Sequence, residues 1–265
     1  MIRRIYRAIF PVKLSEEDVL IETAKNTPRY TPHEFTYRNF KFSVSDFISV
    51  AYQVKEYFVD ERMKFESKKA NPVIIDCGAN VGVSVLYFKQ LFPNAIVEAF
   101  EPDPNIVSYL KKNLSSNKTE GVKLHEKAVW KDDKGIEFGV EGADGGSVFL
   151  TGKKTIHIET VRLKDVLAAY KEIDLLKIDI EGAEVEVIKD CNEELLKVKN
   201  LFIEYHSWIS NKQELDVLLS ILTKNGFRYY IHSIGAQAVK PYMEVDSYNG
   251  MDVQLDIYAV NTNKK

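Results

Sequence analysis

Cysteine is scarce in this chain, which has two in 265 residues. Cys77 and Cys191 stand far apart, and neither has a second cysteine at a metal-binding or redox spacing. This scarcity excludes a disulfide framework and a cysteine-ligated zinc site. Because unpaired thiols are typical of proteins from a reducing compartment, the composition predicts a cytoplasmic location.

An excess of positive charge and long apolar runs are also missing. The formal net charge is −3 and the isoelectric point is about 6.0. A nucleic-acid-binding protein would normally show a basic face and a high isoelectric point, so nucleic acid is excluded as a partner. No apolar stretch approaches the roughly 18 residues of a membrane-spanning helix, so no transmembrane segment is predicted.

The first segment, residues 1–13, combines a short apolar face with several arginines. Ile2, Ile5 and Ile9 share one face of a helix, and Pro11 ends the run before the apolar core of a secretory signal forms. So short a helix is predicted to pack on its own domain or on a second subunit of a homo-oligomer. Peripheral contact with an anionic membrane surface is the alternative.

The most informative stretch, residues 73–84, is a buried strand that runs directly into a turn of small residues. The apolar residues before Asp76 predict an interior parallel strand, and residues 81–91 have the apolar spacing of a helix. Glycines in the turn let the backbone approach a ligand, and the start of the helix offers unpaired N–H groups. The predicted ligand contacts are Asp76, Gly78, Ala79, Asn80, Gly82 and Ser84.

The glycine pattern of the turn and the acid before it predict the charge of that ligand. G-A-N-V-G departs from the G-x-G-x-x-G of a dinucleotide site. Asp76 stands at the end of the strand, where a carboxylate repels a pyrophosphate and attracts a cation. A ligand that carries an ammonium or sulfonium group is therefore predicted. Taken alone, the glycines also fit a tight turn without any ligand.

An acid ends the next apolar segment as well. Residues 95–100 lead into Glu101, followed by Pro102 and Asp103. A carboxylate at the tip of the second strand is well placed to accept hydrogen bonds from both hydroxyls of a ribose, so Glu101 is the ribose candidate. Its alternative role is a helix-starting acid, which suits Asp103 better because Asp103 is nearer to the helix.

Strands and helices continue to alternate along the chain, with a helix predicted at residues 105–117 and strands at 122–128 and 155–160. This order predicts a doubly wound α/β fold.

The segment 173–184 predicts a central strand that ends in acids. Lys177 and Asp179 share one face by the two-residue period, and Glu181 lies at the carboxyl tip, where this fold forms its active crevice. Asp179 and Glu181 are therefore predicted to be functional. Glu184 is interpreted as a structural acid that begins the next helix.

Four of these segments, in this order, resemble the FkbM-type S-adenosylmethionine-dependent methyltransferases. They are D-C-G-A-N-V-G-V-S, F-E-P-D-P, K-A-V-W at 127–130 and L-L-K-I-D-I-E-G-A-E at 175–184. The likeness covers residues 70–206 and implies a class I methyltransferase fold, Rossmann-like with a mostly parallel sheet. It implies S-adenosylmethionine as the cofactor and O-methylation of sugars or secondary metabolites. Further cofactor contacts that it implies are Pro102, Asp103, Ala128, Val129 and Asp179.

The strand predicted at residues 201–206 ends in His206 beside the same crevice. Methyl transfer to a hydroxyl requires a base that removes the proton as the new bond forms, and histidine titrates in the right range. His206 is therefore the predicted base, oriented by Glu204 or Asp179. In a less favoured alternative, Asp179, Glu181, Glu204 and His206 hold a magnesium ion that lowers the pKa of the acceptor hydroxyl.

Residues 1–70 hold twelve of the thirty aromatic residues of the chain. They are predicted to form a helical, aromatic-rich extension that docks on the core, walls the acceptor pocket or contacts a second subunit. Residues 71–265 are predicted to form the S-adenosylmethionine-binding domain.

The predicted function is O-methyl transfer to a hydroxyl of a sugar in a glycan, or of a glycosylated metabolite. This choice of acceptor rests on the resemblance alone. Two alternatives stay open at this point, an NAD-dependent oxidoreductase of the Rossmann type and a nucleotide-binding protein without catalytic activity.

Overall fold

The computed structural model describes residues 15–139, 155–235, 240, 242, 243, 247 and 250–264. The amphipathic segment predicted at residues 1–13 lies outside this part of the chain. Among the described residues, none of the helices combines the length and the apolar composition that a membrane span requires.

In the described part of the chain, two helices and a hairpin precede the central sheet. In chain order they are α1 (Glu16–Lys25), β1 (His33–Tyr37), β2 (Phe40–Val44) and α2 (Phe47–Val54). A π-helical turn, Lys55–Val59, continues α2 directly. The prediction of a helical, aromatic-rich extension did not include the antiparallel hairpin, whose alternating aromatic residues form its buried face.

The remaining strands and helices alternate as an α/β chain. The strands are β3 (Val73–Cys77), β4 (Ile96–Phe100), β5 (Val122–His125), β6 (Ala128–Trp130), β7 (Ile136–Gly139), β8 (Thr155–Ile158), β9 (Thr160–Arg162), β10 (Ile173–Ile178), β11 (Val198–Trp208), β12 (Phe227–Ile234) and β13 (Met251–Asn261). The helices are α3 (Val83–Leu91), α4 (Pro104–Ser116), α5 (Leu163–Ala168), α6 (Glu184–Cys191) and α7 (Leu215–Lys224). Short 3₁₀ turns occupy Glu194–Lys197 and Thr262–Lys264.

The central sheet has seven strands in the order β12-β13-β11-β10-β3-β4-β5. The five strands β5, β4, β3, β10 and β11 run parallel, and β13 is antiparallel to both of its neighbours. Strand order reverses between β3 and β10. This topology confirms the doubly wound, mostly parallel α/β fold.

Two apolar layers cover the faces of this sheet. Every residue of β3 and β10 is buried, as expected for strands with helices on both sides. Ile74 belongs to the layer formed with α3, α4 and the N-terminal elements, whereas Ile75 belongs to the layer formed with α5, α6 and α7. The two-residue period of the strand distributes its side chains between the two layers.

Several predicted boundaries differ from the structure. Helix α3 begins at Val83, two residues after the predicted start, because Gly82 takes a left-handed conformation with φ of 90° and caps the helix instead. The strand predicted at 122–128 is interrupted after His125. Its last part, β6, leaves the central sheet and pairs with β9. The segment predicted as a strand at 155–160 covers β8 and the start of β9, and β8 pairs with β7. This segment therefore also lies outside the central sheet.

The N-terminal extension is joined to the core by a buried side chain of α4. Asn113 Oδ1 accepts a hydrogen bond from the backbone N–H of Ser43 in β2 at 2.7 Å. Its Nδ2 donates to the carbonyl oxygens of Ser43 and Val81 at 2.9 and 2.8 Å. One amide therefore connects β2, α4 and the turn after β3, which fixes the extension beside the carboxyl edge of the sheet.

Candidate active site

A cavity of about 520 Å³ opens at the carboxyl ends of the central strands. It lies where the strand order reverses, which is where open α/β sheets bind their ligands. Its volume is within the range of cofactor and small-molecule sites. Most of the predicted cofactor contacts line it, namely Gly78, Ala79, Asn80, Ser84, Glu101, Pro102, Asp103, Ala128, Val129 and Asp179.

The turn after β3 forms one side of the cavity. Gly78 has φ of +83°, and a Cβ atom there would lie 1.8 Å from the carbonyl oxygen of Asp179. Only glycine fits so close to the neighbouring backbone. The N–H groups of Gly78 and Ala79 donate to the carbonyl oxygen of Phe100 at 3.0 and 2.9 Å. The turn is thereby fixed to the ends of both neighbouring strands.

Glu101 lies at the tip of β4, against this turn. Its carboxylate accepts hydrogen bonds from the backbone N–H groups of Asn80 at 3.0 Å and Asp103 at 2.9 Å. Burial raises the pKa of Glu101 to about 7, although the two backbone donors oppose that shift. Asp103 caps α4 by accepting from the N–H of Asn105 at 2.8 Å, the helix-starting role that the sequence predicted for it.

Asp76 and Gly82 do not reach the cavity wall, although the sequence placed both among the cofactor contacts. Asp76 is completely buried beneath the turn, where it accepts a hydrogen bond from the Ser84 hydroxyl at 2.5 Å. A Cβ atom on Gly82 would lie 2.4 Å from the Leu110 side chain. The glycine at this position therefore serves the packing of α3 against α4, and Asp76 supports the turn from below.

Lys177 supplies a positive charge beneath the turn after β3. The sequence had suggested no role for this side chain. Its Nζ donates to the Gly78 carbonyl oxygen at 2.9 Å and to Asp179 at 3.1 Å, and lies 3.4 Å from Asp76. Burial alone would lower the pKa of Lys177, but Asp179 and Asp76 outweigh it and raise the pKa well above its usual value. A permanent positive charge therefore lies beneath the turn.

His206 lies on β11 with its side chain completely buried between carboxylates. Nδ1 is 3.0 Å from Glu184, and Nε2 is 3.2 Å from Glu204 and 3.7 Å from Glu181. Burial would lower the pKa of His206, but the charges of Glu181 and Glu184 outweigh it and raise the pKa well above its usual value. These carboxylates favour the protonated ring, and a protonated imidazole has no lone pair with which to accept a proton.

Glu184 has a second role that its position at a helix start did not reveal. It begins α6, as predicted, and its Oε1 accepts hydrogen bonds from the N–H groups of Gly182 at 2.9 Å and Ile180 at 3.3 Å. The same oxygen lies 3.0 Å from His206 Nδ1. Because these two residues belong to different elements, no local spacing in the sequence connects them.

One group of side chains in the described residues has metal-ligand chemistry. Single donor atoms of Asp179, Glu181 and His206 lie within 4.8 Å of one another. The set overlaps with the predicted magnesium ligands, and Glu204 stands next to it. In the structure these atoms are already paired with each other and with Lys177.

The other end of the cavity is formed by residues outside the predicted site. Glu56, Tyr57 and Arg62 reach it from the N-terminal extension, while Gln254 and Asp256 reach it from β13. Gln254 donates to Glu204 at 2.6 Å. The aromatic content of the extension predicted an acceptor wall, but no sequence signal marked these charged residues among the many surface charges.

The seven-stranded sheet, its strand order and the cavity at its switch point define an α/β protein of the class I methyltransferase type. A sequence model of the Methyltransferase FkbM domain matches residues 76–229. The chain therefore belongs to the FkbM methyltransferase family, which confirms the family predicted from the sequence.

Several curated methyltransferases are similar to this chain. Methyltransferase sdnD of Sordaria araneosa is 31% identical over 221 residues, 65% of this chain and 81% of its own length. 2-O-methyltransferase NoeI of Sinorhizobium fredii is 31% identical over 159 residues, 52% of this chain and 65% of its own. Hexuronic acid methyltransferase AglP of Haloferax volcanii is 26% identical over 162 residues, 59% of this chain and 65% of its own.

Membership of this family makes S-adenosylmethionine the methyl donor. The cavity residues fit that group on two observations. The turn residues Gly78 and Ala79 line the cavity, and their small size lets a ligand approach the backbone. Glu101 lines the cavity from the tip of the second strand, the position from which a carboxylate accepts ribose hydroxyls.

Proposed function

We propose that this protein is an S-adenosylmethionine-dependent O-methyltransferase that acts on a hydroxyl of a sugar, in a glycan or in a glycosylated metabolite. The observation that carries the proposal is that one continuous cavity is lined both by the predicted methyl-donor contacts and, at its other end, by carboxylates. The names of NoeI and AglP, an O-methyltransferase and a hexuronic acid methyltransferase, favour a sugar hydroxyl.

The residues of the donor end have distinct roles in this proposal. Glu101 accepts hydrogen bonds from the ribose hydroxyls, and Ala128 and Val129 form an apolar wall for the adenine ring. Lys177 holds the turn by its bond to the Gly78 carbonyl oxygen. S-adenosylmethionine supplies an electrophilic methyl group on a sulfonium. The protein must align the acceptor oxygen with that methyl carbon and exclude water.

His206 has a positioning role in this proposal. Its charged ring holds Glu181, Glu184 and Glu204 together at the carboxyl ends of β10 and β11. Because the carboxylates favour its protonated form, we propose this role for His206 in place of the predicted role as a base.

A magnesium-assisted reaction is the second candidate, favoured by the close approach of Asp179, Glu181 and His206. Asp179, Glu181, Glu204 and His206 are the ligands that the sequence suggested. We rank this candidate lower because a cation would have to displace the proton on His206 and compete with Lys177. Activity that is lost with EDTA and restored by magnesium would reverse the ranking.

The donor is tested by calorimetry with S-adenosylhomocysteine and NAD in parallel. We expect heat of binding with S-adenosylhomocysteine and none with NAD. The reverse result would favour the oxidoreductase alternative.

The acceptor is tested with radiolabelled S-adenosylmethionine and a panel of neutral, amino and uronic methyl glycosides. Transfer of label to at least one glycoside is expected. Binding of the donor without transfer to any glycoside would favour the non-catalytic alternative. The cytoplasmic location, the homo-oligomer and the membrane contact of residues 1–13 stay predictions.

A further inference from the structure

The carboxylates around the acceptor end of the cavity differ in whether they already accept a hydrogen bond from the protein or pair with one of its cations. Asp179 accepts from Lys177 at 3.1 Å. Glu204 accepts from Gln254 at 2.6 Å and lies 3.2 Å from His206. Asp256 lies 3.4 Å from the Arg62 guanidinium. Each of these groups is therefore committed to a fixed partner in the protein.

Glu56 is the exception among these acids. It lines the cavity, and no described side chain or backbone N–H group donates a hydrogen bond to its carboxylate. The side chain is partly buried and forms part of the cavity lining. A carboxylate in such a place can accept a proton from a ligand without first breaking a bond within the protein.

The local backbone holds Glu56 in this position. It lies in the π-helical turn Lys55–Val59, and single π-helical turns often occur at functional sites because they redirect side chains. The next residue, Tyr57, is buried, with its ring 5.7 Å from that of Tyr87 and 6.1 Å from that of Phe88. The turn is therefore anchored on α3, the helix that follows the donor turn.

The charges that face Glu56 come from three sides. Asp256 and Tyr258 face it from β13, Glu204 from β11 and Asp179 from the end of β10, while Arg62 faces it from the extension itself. Burial raises the pKa of Glu56 to about 7; Asp256, Glu204 and Asp179 add to this effect, and Arg62 opposes it. A base is most effective when its pKa lies near the working pH.

We propose that Glu56 is the catalytic base of the methyl transfer, so that the N-terminal extension supplies a reacting group and not only a wall. This inference rests on the proposed function. The acceptor oxygen forms its bond to the methyl carbon as the carbon–sulfur bond breaks. The electron pair of that bond stays on sulfur, which becomes a neutral thioether. The proton of the acceptor hydroxyl passes to the Glu56 carboxylate.

The first test compares Glu56→Gln with Glu66→Gln, which changes an exposed acid of the same extension. On the glycoside methylated by the wild type, we expect kcat of Glu56→Gln to fall by about 100-fold or more, as for loss of a general base. Its affinity for S-adenosylhomocysteine and the kinetics of Glu66→Gln should be unchanged. A Glu56→Gln variant that binds S-adenosylhomocysteine and keeps full kcat overturns the proposal.

The second test requires no acceptor. Carbon-13 NMR of glutamate carboxyl groups is recorded against pH on the wild-type complex with S-adenosylhomocysteine. We expect one signal that titrates near pH 7 and is absent from both Glu56→Gln and Glu56→Asp. If the signal lost in these variants titrates in the ordinary range near pH 4, Glu56 is not the base. Failure of the wild type to methylate any glycoside would contradict the proposed function, while this titration would still decide the state of Glu56.

Discussion

A single buried lysine connects both strands that form the centre of the site. Lys177 on β10 reaches Asp76 on β3, Asp179 beyond its own strand and the carbonyl oxygen of Gly78 in the turn. Its charge offsets two carboxylates that burial would otherwise make costly. Removing one partner of a buried ionic group is strongly destabilising, because the remaining charges lose their compensation.

We therefore expect Lys177→Met to lower the free energy of unfolding by about 3–5 kcal/mol. Because the pKa of Lys177 is raised in the folded state, its contribution is fully present below about pH 10 and is lost as the pH rises further. Urea denaturation at pH 7 measures the change. The exposed Lys212→Met is the control, with an expected effect within about 0.5 kcal/mol. A loss for Lys177→Met as small as the control's would contradict the proposed role of its charge.

His206 illustrates how environment decides the role of a residue type. Its position at the end of a strand is as the sequence suggested, yet the surrounding carboxylates favour the protonated form of its ring. Glu184, whose pairing partner is 22 positions away in the chain, contributes one of these carboxylates. Residue type and spacing along the chain therefore identified the location but not the protonation state.

At the scale of elements, two asparagines attach the hairpin to the core. Asn113 in α4 and Asn117, which follows the last residue of α4, lie one turn apart and make the same kind of contact with β2. Asn113 bonds both backbone groups of Ser43, and Asn117 bonds both backbone groups of Lys41 at 2.9 and 2.8 Å. The first pair is buried, whereas the second is exposed to solvent.

Asn113→Ala is expected to cost about 3 kcal/mol or more, because three buried backbone hydrogen bonds would lose their partner. Asn117→Ala is the matched control, since water can replace its contacts, and an effect of about 1 kcal/mol or less is expected. Both values come from urea denaturation. Equal losses for the two variants would show that burial does not decide the strength of this attachment.

At the scale of the whole molecule, several cavity acids share one electrostatic property. The pKa values of Glu56, Glu101 and Asp256 are each raised to about 7, in each case chiefly by burial. These acids are on three different parts of the chain and meet only around the cavity. A cavity lined in this way favours neutral or positively charged groups over anions.

This property predicts that the ligand-free protein loses stability as the pH rises from about 5 to 8. In that range the folded state holds more protons than the unfolded state, whose carboxyl groups titrate near pH 4, so unfolding becomes easier with increasing pH. The raised pKa of His206 acts in the same direction above about pH 6.5. Thermal unfolding across this range measures the slope, and Glu101→Gln should reduce it. A melting temperature that rises with pH would contradict the prediction.

Local signals in the sequence were sufficient for the parallel sheet, the donor turn and the acid at the end of β4. Buried strands, glycine turns and helix starts are determined by residues within a few positions of each other, so their patterns are visible in the chain. The first residue of α3 and the departure of β6 from the sheet could not be predicted from such local patterns. A left-handed glycine and a change of strand partner depend on the packing around them.

The sequence by itself determined the fold class, the family and the position of the glycine turn after β3, because each depends on short motifs in a fixed order. Tertiary structure alone decided that Asp76 supports the turn from beneath, that Lys177 is its counter-charge, and that His206 is held between carboxylates. It also brought Glu56 of the extension to the cavity. The physical reason is that burial and charge pairing depend on distances in space, and these groups lie on elements far apart along the chain.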